Sequence, residues 1–267
     1  MRETLTRLLS GIVYILLLAA AIFYSPESFL LLFGIFLLIA VFEFTNLVQL
    51  PKAIPIAIAV AGYLLFAFFP STLLTLYLLM VATLFVSARC ILFLFSDAQP
   101  RFDSMSKYVY LIGYIILPFI LLTKIPFQEG FYDPKVIFSI FILIWTNDTF
   151  AFVVGKTVGQ NKLYEKISPK KTVEGFIGGV GFAVLASAII SRYFIFQELY
   201  VWVTIALIIG FIGTIGDLVE SKFKRVAGVK DSGSIMPGHG GILDRLDSVI
   251  FAAPFVFLFY QILYYVS

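Results

Sequence analysis

The chain has 267 residues, of which 61% are hydrophobic and only 13% are charged. A soluble globular domain carries roughly twice that charged fraction, so the composition excludes an ordinary soluble protein and indicates a polytopic membrane protein. The net charge of +3 is small, and we attribute it to membrane orientation and not to nucleic-acid binding. The single Cys90 excludes an internal disulfide or a cysteine metal site.

Nine apolar segments are candidates for membrane-spanning helices, each of which needs about 20 mostly apolar residues. In chain order they are 8–24, 28–48, 53–69, 72–95, 108–123, 134–154, 175–191, 199–219 and 247–265. The first resembles a signal peptide, but we expect a retained helix because its apolar character continues and more spans follow. The sequence therefore predicts an all-α, polytopic integral membrane protein with about nine transmembrane helices in a single membrane domain, 1–267.

Lysine and arginine are distributed unequally between the two sides of this predicted bundle. Sixteen of the nineteen lie on the side of the N-terminus, and only Lys124, Lys135 and Arg192 lie on the other. Cytoplasmic loops of membrane proteins carry the excess of positive charge. We therefore expect the N-terminus on the cytoplasmic side.

Four aspartates from three spans are predicted to lie toward the cytoplasmic side. Asp148 follows Asn147 in the sixth span, about two turns from its cytoplasmic end, and Asp217 ends the eighth. Asp244 and Asp247 begin the ninth, where a spacing of three puts both carboxylates on one helix face. For that pair alone, stabilisation of the helix dipole is the alternative role. Converging carboxylates need cations between them, and Mg²⁺ takes one or two carboxylates with water and phosphate, so the four predict a Mg²⁺ site for a phosphorylated substrate.

Basic residues lie on the same side of the membrane. In the connection between the sixth and seventh spans, Ser-Pro-Lys-Lys predicts a rigid turn that presents Lys170 and Lys171. These lysines are suited to phosphate, although contact with anionic lipid headgroups is the more common role of such a loop.

A glycine-rich segment, Pro-Gly-His-Gly-Gly, lies just ahead of the ninth span. Its glycines, Gly238, Gly240 and Gly241, together with the helix N-terminus behind them, predict an anion-binding concavity. His239 is expected to bind phosphate or to act as an acid or base, with a solvated loop histidine as the alternative.

Three other features complete the sequence patterns. Lys230 next to Asp231 is either a surface ion pair or a phosphate clamp with its orienting carboxylate. Glu43 lies within the second span, and the sequence offers Arg89 or a lysine as partner without deciding between them. Small residues permit close helix packing, which we expect at glycines 175, 178, 179, 181, 210, 213 and 216.

Taken together, these segments resemble the signature of the phosphatidate cytidylyltransferases, also called CDP-diacylglycerol synthases. The signature segments, with their spacing intact, are SKFKR (221–225), KD (230–231), PGHGG (237–241) and DRLD (244–247). Further segments similar to the family are WTNDTFAF (145–152), SPKKTVEG (168–175) and GDLVES (216–221). Met236 stands where the family usually has Leu, Ile or Phe. The resemblance covers most of the catalytic part, 141–267, whereas the N-terminal helices, 1–140, are similar only in being hydrophobic.

The resemblance implies that the cytidylyl group of CTP is transferred to phosphatidate, giving CDP-diacylglycerol and pyrophosphate in phospholipid biosynthesis. It also implies a multi-pass fold in the cell membrane with the active site facing the cytoplasm. Mg²⁺ dependence, with K⁺ as a candidate second cation, and a homodimer are further implications.

The resemblance and the aspartate pattern together suggest residue roles. As metal ligands we expect Asp217 and Asp244, with Asp148 and Asp247 completing the site. The residues expected to neutralise phosphates are Lys170, Lys171, Lys224, Arg225 and Lys230, and His239 with its glycines is expected to hold the pyrophosphate. Asn147, Asp231 and Ser232 complete the expected substrate-binding set.

Two other functions are compatible with parts of the sequence. One is a different CTP-using membrane enzyme, either an isoprenoid-lipid cytidylyltransferase or a lipid kinase. The other is a transporter, which is disfavoured because a conduction path needs polar lining through the whole membrane. Here the intramembrane acids cluster in the cytoplasmic half, and the first five spans contain almost none.

Overall fold

The structure is a computed structural model that describes residues 2–69, 72–96, 102–128 and 130–266. Within those ranges the chain forms nine apolar helices. They are α1 (Arg2–Tyr24), α2 (Pro26–Val48), α3 (Ala53–Tyr63, continued by a π-helical turn, Leu64–Phe68), α4 (Leu73–Phe95), α5 (Ser104–Lys124), α6 (Pro134–Val158), α7 (Val173–Ile195), α8 (Leu199–Val226) and α9 (Leu243–Val266). Eight of these described helices are long and apolar enough to cross a membrane, and the third, Ala53–Ala67, is shorter. The prediction of an all-α polytopic membrane protein is confirmed.

Six helices begin or end four or more residues away from the predicted bounds. α1 begins at Arg2 and not at 8, α5 begins at Ser104 and not at 108, and α9 begins at Leu243 and not at 247. α6 ends at Val158 and not at 154, α7 ends at Ile195 and not at 191, and α8 ends at Val226 and not at 219. Hydropathy locates the apolar part of a helix and does not detect a polar extension of it. The last turn of α8 contains Lys224 and Arg225, and cations near a helix C-terminus are favourable.

Two short antiparallel hairpins complete the described elements. β1 (Phe127–Gln128) pairs with β2 (Phe131–Tyr132) before α6, and β3 (Lys162–Tyr164) pairs with β4 (Ser168–Thr172) between α6 and α7. The expected rigid turn at Lys170 and Lys171 is therefore wrong, because both lysines lie in a strand. Successive side chains of a strand point to opposite faces, so the two lysines have different surroundings.

Close helix packing positions the elements of the site. A Cβ atom on Gly179 of α7 would lie 2.7 Å from the carbonyl oxygen of Asn147 on α6, and one on Gly216 of α8 would lie 2.5 Å from Cβ of Phe251 on α9. These glycines allow the backbones to approach, as the sequence predicted. Gly181 differs, since a Cβ atom there would meet no described atom within 4 Å.

The helices differ in how much of their surface is buried. In the most apolar 18-residue stretch of each helix, 17% of the residues of α1 are buried inside the protein, against 67% of those of α9. α1 is therefore a peripheral helix that packs along α2 and α6, whereas α9 lies in the centre of the bundle.

Candidate active site

A cavity of about 710 Å³ lies where α1, α6, α7, α8 and α9 meet the β3–β4 hairpin. Its wall combines aspartates and basic side chains with apolar side chains from α1 and α6. The acids are Asp148, Asp217, Asp244 and Asp247, and the basic residues are Lys156, Lys162, Lys170, Lys171 and Arg245. The structure thus brings together the four aspartates that the sequence placed at one end of three helices.

Asp217 on α8 is held by the hairpin. Nζ of Lys171 lies 2.5 Å from Oδ2 of Asp217, and the hydroxyl of Ser221 donates to Oδ1 at 3.3 Å. Burial lowers the pKa of Lys171, but Asp217, with the more distant Asp247 and Asp148, outweighs burial and raises the pKa above its ordinary value. Lys171 is therefore positively charged at neutral pH.

Asp244 connects three parts of the protein. Its Oδ1 accepts a hydrogen bond from Nζ of Lys224 on α8 at 2.6 Å. Its Oδ2 accepts from the amide and the hydroxyl of Ser232, both at 2.9 Å, and from the amide of Gly241 at 2.7 Å. Lys224 also forms an ion pair with Glu220, which is fully buried. Both carboxylate oxygens of Asp244 are therefore engaged within the protein.

Asp148, Asp247 and Asn147 have fewer contacts. Oδ1 of Asp247 accepts from the amide of Ser248 at 2.6 Å, and Oδ1 of Asp148 accepts from Nδ2 of Asn147 at 3.3 Å. Oδ1 of Asn147 is buried and has no hydrogen-bond partner among the described residues. A carboxylate can accept about four hydrogen bonds, so these oxygens retain capacity for a ligand.

The loop before α9 folds into a tight turn. Gly238 and Gly240 have φ angles of 76° and 89°, a region that favours glycine. The amide of Met236 donates to the carbonyl of Gly240 at 2.9 Å and closes the turn. His239 lies at its tip.

His239 is held by the N-terminal helix. Its Nδ1 lies 2.8 Å from Oγ of Ser10, and this hydroxyl also lies 3.0 Å from the carbonyl of Pro237. Partial burial lowers the pKa of His239, and the positive charges of Arg245 and Arg7 lower it further. The imidazole is therefore neutral at neutral pH.

A second, more polar cavity of about 530 Å³ shares Met236, His239 and Arg245 with the first. It is lined by Arg7, Lys230 and Arg245, by Asp231, and by loop residues that include Gly238 and Gly240. Three cations and one carboxylate give this cavity an excess of positive side chains.

The amide groups at the start of α9 are occupied by carboxylates of the chain. Ile242 and Leu243 donate to Glu43 on α2 at 3.1 and 2.8 Å, and Gly241 donates to Asp244. The sequence had suggested Arg89 or a lysine for Glu43, and that expectation is wrong in the described structure. We therefore do not assign these three amides to phosphate.

Some predicted binding residues line neither cavity. They are Lys224, Arg225, Ser232 and Gly241. Three of them contact Asp244, as described above. Arg225 instead donates to the carbonyl of Val229 at 3.1 Å and approaches the carbonyl of Ile167.

Several residues at the site were not among the predicted ones. Arg245 lines both cavities, and its place between the two motif aspartates was a signal that could have found it. Glu220 lies four residues before Lys224, a spacing that favours a helical ion pair. Tyr14 of α1 lines the larger cavity, and its hydroxyl is buried without a partner among the described residues. For Tyr14 the apolar first span gave no signal.

The acids are not grouped as a closed metal cage. Among the described residues, no three His, Cys, Asp or Glu side chains are placed so that they could hold one metal ion. Any cation in the cavity would therefore need ligands in addition to protein carboxylates.

Comparison with known proteins identifies one family and several relatives of this chain. The model of the cytidylyltransferase family matches residues 5–263. The phosphatidate cytidylyltransferase of Staphylococcus aureus (strain COL) is 51% identical over 116 residues, which cover 43% of this chain and 44% of that protein. That of Staphylococcus haemolyticus (strain JCSC1435) is 48% identical over 116 residues, with the same coverage. That of Staphylococcus epidermidis (strain ATCC 12228 / FDA PCI 1200) is 43% identical over 122 residues, or 45% and 46% of the two chains. The aligned part thus spans less than half the length of each relative.

Proposed function

Because this chain belongs to the cytidylyltransferase family, we propose that it is a membrane enzyme that transfers the cytidylyl group of CTP to phosphatidate. The products are CDP-diacylglycerol and pyrophosphate. The observation that carries the proposal is the larger cavity, which joins four aspartates and five basic side chains to an apolar wall. A water-soluble nucleotide triphosphate and a lipid phosphate need such a mixed surface.

The reaction is a nucleotidyl transfer. A phosphate oxygen of phosphatidate attacks the α-phosphorus of CTP in line, the new P–O bond forms, and the bond to the leaving pyrophosphate breaks. A phosphate monoester is already a nucleophile, so positioning and charge neutralisation carry most of the catalysis. We assign no protein base, because the phosphate monoester needs none.

The residues of the cavity fit Mg²⁺. Asp217, Asp247 and Asp148 present carboxylate oxygens, and Oδ1 of Asn147 is a buried oxygen without a partner among the described residues. Mg²⁺ needs only one or two carboxylates, because water and substrate phosphates complete its octahedron. When bound, the ion would neutralise the charge that develops on the phosphate oxygens. We propose Asp217 and Asp247 as its protein ligands, supported by Asp148, while Asp244 organises the loop.

The basic residues have separate roles in this proposal. Lys171 neutralises and orients Asp217, and the exposed Lys170 on the other face of β4 is available to phosphate. Lys230, Arg7 and Arg245 line the second cavity, where the pyrophosphate end of the nucleotide would find positive charge.

Three further parts of the proposal concern the whole protein. The excess of lysine and arginine on one side supports a cytoplasmic N-terminus and a cavity that faces the cytoplasm of the cell. The family resemblance supports a homodimer, which light scattering in detergent would test. It also supports K⁺ as a second cation, which replacement of K⁺ by Na⁺ in the assay would test.

The test of the function is release of pyrophosphate from CTP by the purified protein in detergent. We expect release to require phosphatidate and Mg²⁺, and to stop with excess EDTA. Release with an isoprenoid phosphate but not with phosphatidate would identify a different cytidylyltransferase. Conversion of CTP to CDP with a lipid alcohol would identify a lipid kinase instead. Either result would refute the proposal.

A further inference from the structure

Glu43 is a buried carboxylate of the N-terminal half that contacts the signature loop directly. Its side chain lies on α2, and the residue is only 2% exposed. Oε1 accepts from the amide of Ile242 at 3.1 Å, and Oε2 accepts from the amide of Leu243 at 2.8 Å and lies 3.3 Å from the hydroxyl oxygen of Ser232. One carboxylate thus fixes both ends of the segment 232–243.

The loop is shaped to receive this carboxylate. A Cβ atom on either Gly233 or Gly241 would lie well under 3.0 Å from Oε1 of Glu43. Side chains do not approach so closely, so only glycine at both positions permits the contact. Neither glycine has a positive φ angle, so the reason for glycine here is space and not backbone conformation.

The same segment holds Asp244. Oδ2 of Asp244 accepts from the amide and hydroxyl of Ser232 and from the amide of Gly241. The hydroxyl of Ser232 therefore lies between the two carboxylates, within hydrogen-bonding distance of each. The amides that bind Glu43 begin α9, the helix that presents Asp244 and Asp247 to the cavity.

From these contacts we propose that Glu43 is a positioning residue: it holds segment 232–243 and the first turn of α9 in the conformation in which Asp244 organises the loop and Asp247 faces the substrates. The carboxylate suits this place because the first amides of a helix have no partners within the helix and their dipole favours negative charge. The expected effect of Glu43 on turnover rests on the proposed cytidylyl transfer. Its expected effect on the conformation of the loop does not.

The test uses Glu43→Ala and Glu43→Gln with Thr45→Val as the matched control. Thr45 is buried two residues further along α2, and within the described ranges its hydroxyl bonds its own helix, at the carbonyl of Phe42. Glu43→Gln is the conservative variant, because it keeps the size of the side chain and one acceptor oxygen while it places an NH₂ group against an amide donor.

The first measurement is hydrogen exchange of peptides that cover 229–246, in detergent and without substrate. We expect exchange about 10-fold faster in Glu43→Ala, a smaller increase in Glu43→Gln, and no change in Thr45→Val. Unchanged exchange in Glu43→Ala overturns the proposal, whether or not the wild-type protein turns over CTP.

The second measurement is the rate of pyrophosphate release per folded molecule. Loss of such a supporting contact typically costs about 10- to 100-fold, so kcat should fall by about 10-fold or more in Glu43→Ala with a small change in KM for CTP. Partial activity in Glu43→Gln would agree with its intermediate exchange. Faster exchange with an unchanged kcat would refute the positioning role. A wild-type protein without transferase activity would refute the proposed function and leave the exchange result to decide the role of Glu43 in the loop.

Discussion

The N-terminal helices α1–α5 and the C-terminal helices α6–α9 contribute to the cavity in different ways. Every aspartate and every basic residue that lines the larger cavity in the described structure comes from the C-terminal part. The N-terminal part provides apolar wall from α1 and single polar contacts, such as Ser10 to His239 and Glu43 to the start of α9. The comparison teaches that a region without acids in the cavity can still determine the position of the acids that are there.

A third contact of this kind lies at the end of α4. The ammonium of Lys222 on α8 donates to the carbonyls of Leu94 and Ser96, and the hydroxyl of Tyr164 on β3 donates to Leu94 at 3.1 Å. The carbonyls at a helix C-terminus lack partners within the helix and favour cations. α4 thereby anchors both α8 and the hairpin that holds Asp217.

The largest effects should come from the C-terminal acids. Asp217→Asn and Asp247→Asn should each lower kcat by about 100-fold or more, because each removes charge from the proposed ion site. Pyrophosphate release per folded molecule measures this. Asp103→Asn is the control, since Asp103 is exposed and caps α5 through the amide of Ser106. Near-normal turnover in both cavity variants would contradict the metal assignment.

The next effect distinguishes two neighbouring lysines. Lys171→Met should lower kcat by about 10- to 100-fold because it leaves Asp217 without its cation, whereas Lys170→Met should raise KM only a few-fold. Steady-state kinetics at two salt concentrations would separate the two, since an exposed charge is screened by salt. Equal effects of the two substitutions would show that the opposite orientations of Lys170 and Lys171 on β4 do not matter for function.

A smaller effect is expected from the N-terminal helix. Ser10→Ala removes the hydroxyl next to Nδ1 of His239 and should lower kcat/KM by about 3- to 10-fold, the size of one neutral hydrogen bond. Ser187→Ala is the matched control, because among the described residues that buried hydroxyl bonds the carbonyl of Val184 in its own helix. If Ser10→Ala lowered kcat/KM as much as Asp247→Asn does, the N-terminal helices would have more than a supporting role at the site.

The smallest effect concerns pH. Because the pKa of His239 is lowered, the unfolded chain binds more protons between that lowered value and about 6.5, so stability falls as pH decreases through this window. Wild-type protein should lose slightly more thermal stability between pH 7.5 and 5.5 than His239→Gln, by about 2 °C or less. Arg7→Gln should reduce this difference, since the charge of Arg7 on α1 contributes to the lowered pKa. An equal loss of thermal stability in wild type and His239→Gln would contradict a lowered pKa of His239.

Much of the fold could be predicted because lipid imposes strong rules on sequence. A span must be apolar for about 20 residues, so the eight long helices were visible in the sequence, whereas extensions of their ends, such as 220–226, were missed. The π-helical turns within α5, α7 and α8 were not visible, because a shift in hydrogen-bond register leaves an apolar sequence apolar.

The types of residue at the site could be predicted from the sequence, but their hydrogen-bond partners could not. The four aspartates were predicted to converge because each lies toward the same side of the membrane, and they line one cavity. The hydrogen bonds that Ser232 and Gly241 donate to Asp244 could not be predicted from the spacing of these residues in the sequence, because they depend on how the loop returns to α9. Glu43 was visible as an intramembrane acid, but its two shortest hydrogen bonds come from backbone amides, which every residue except proline has, so residue type could not identify them.

The contact between Glu43 and the start of α9 also bears on the order of assembly during synthesis. Glu43 is 199 and 200 residues away from its two amide partners, so α2 is made and inserted long before they exist. Until α9 is added, the carboxylate of Glu43 lacks the two backbone amides that bind it in the folded bundle. Addition of α9 therefore supplies Asp244 and Asp247 to the cavity and hydrogen-bond donors to Glu43 in the same step.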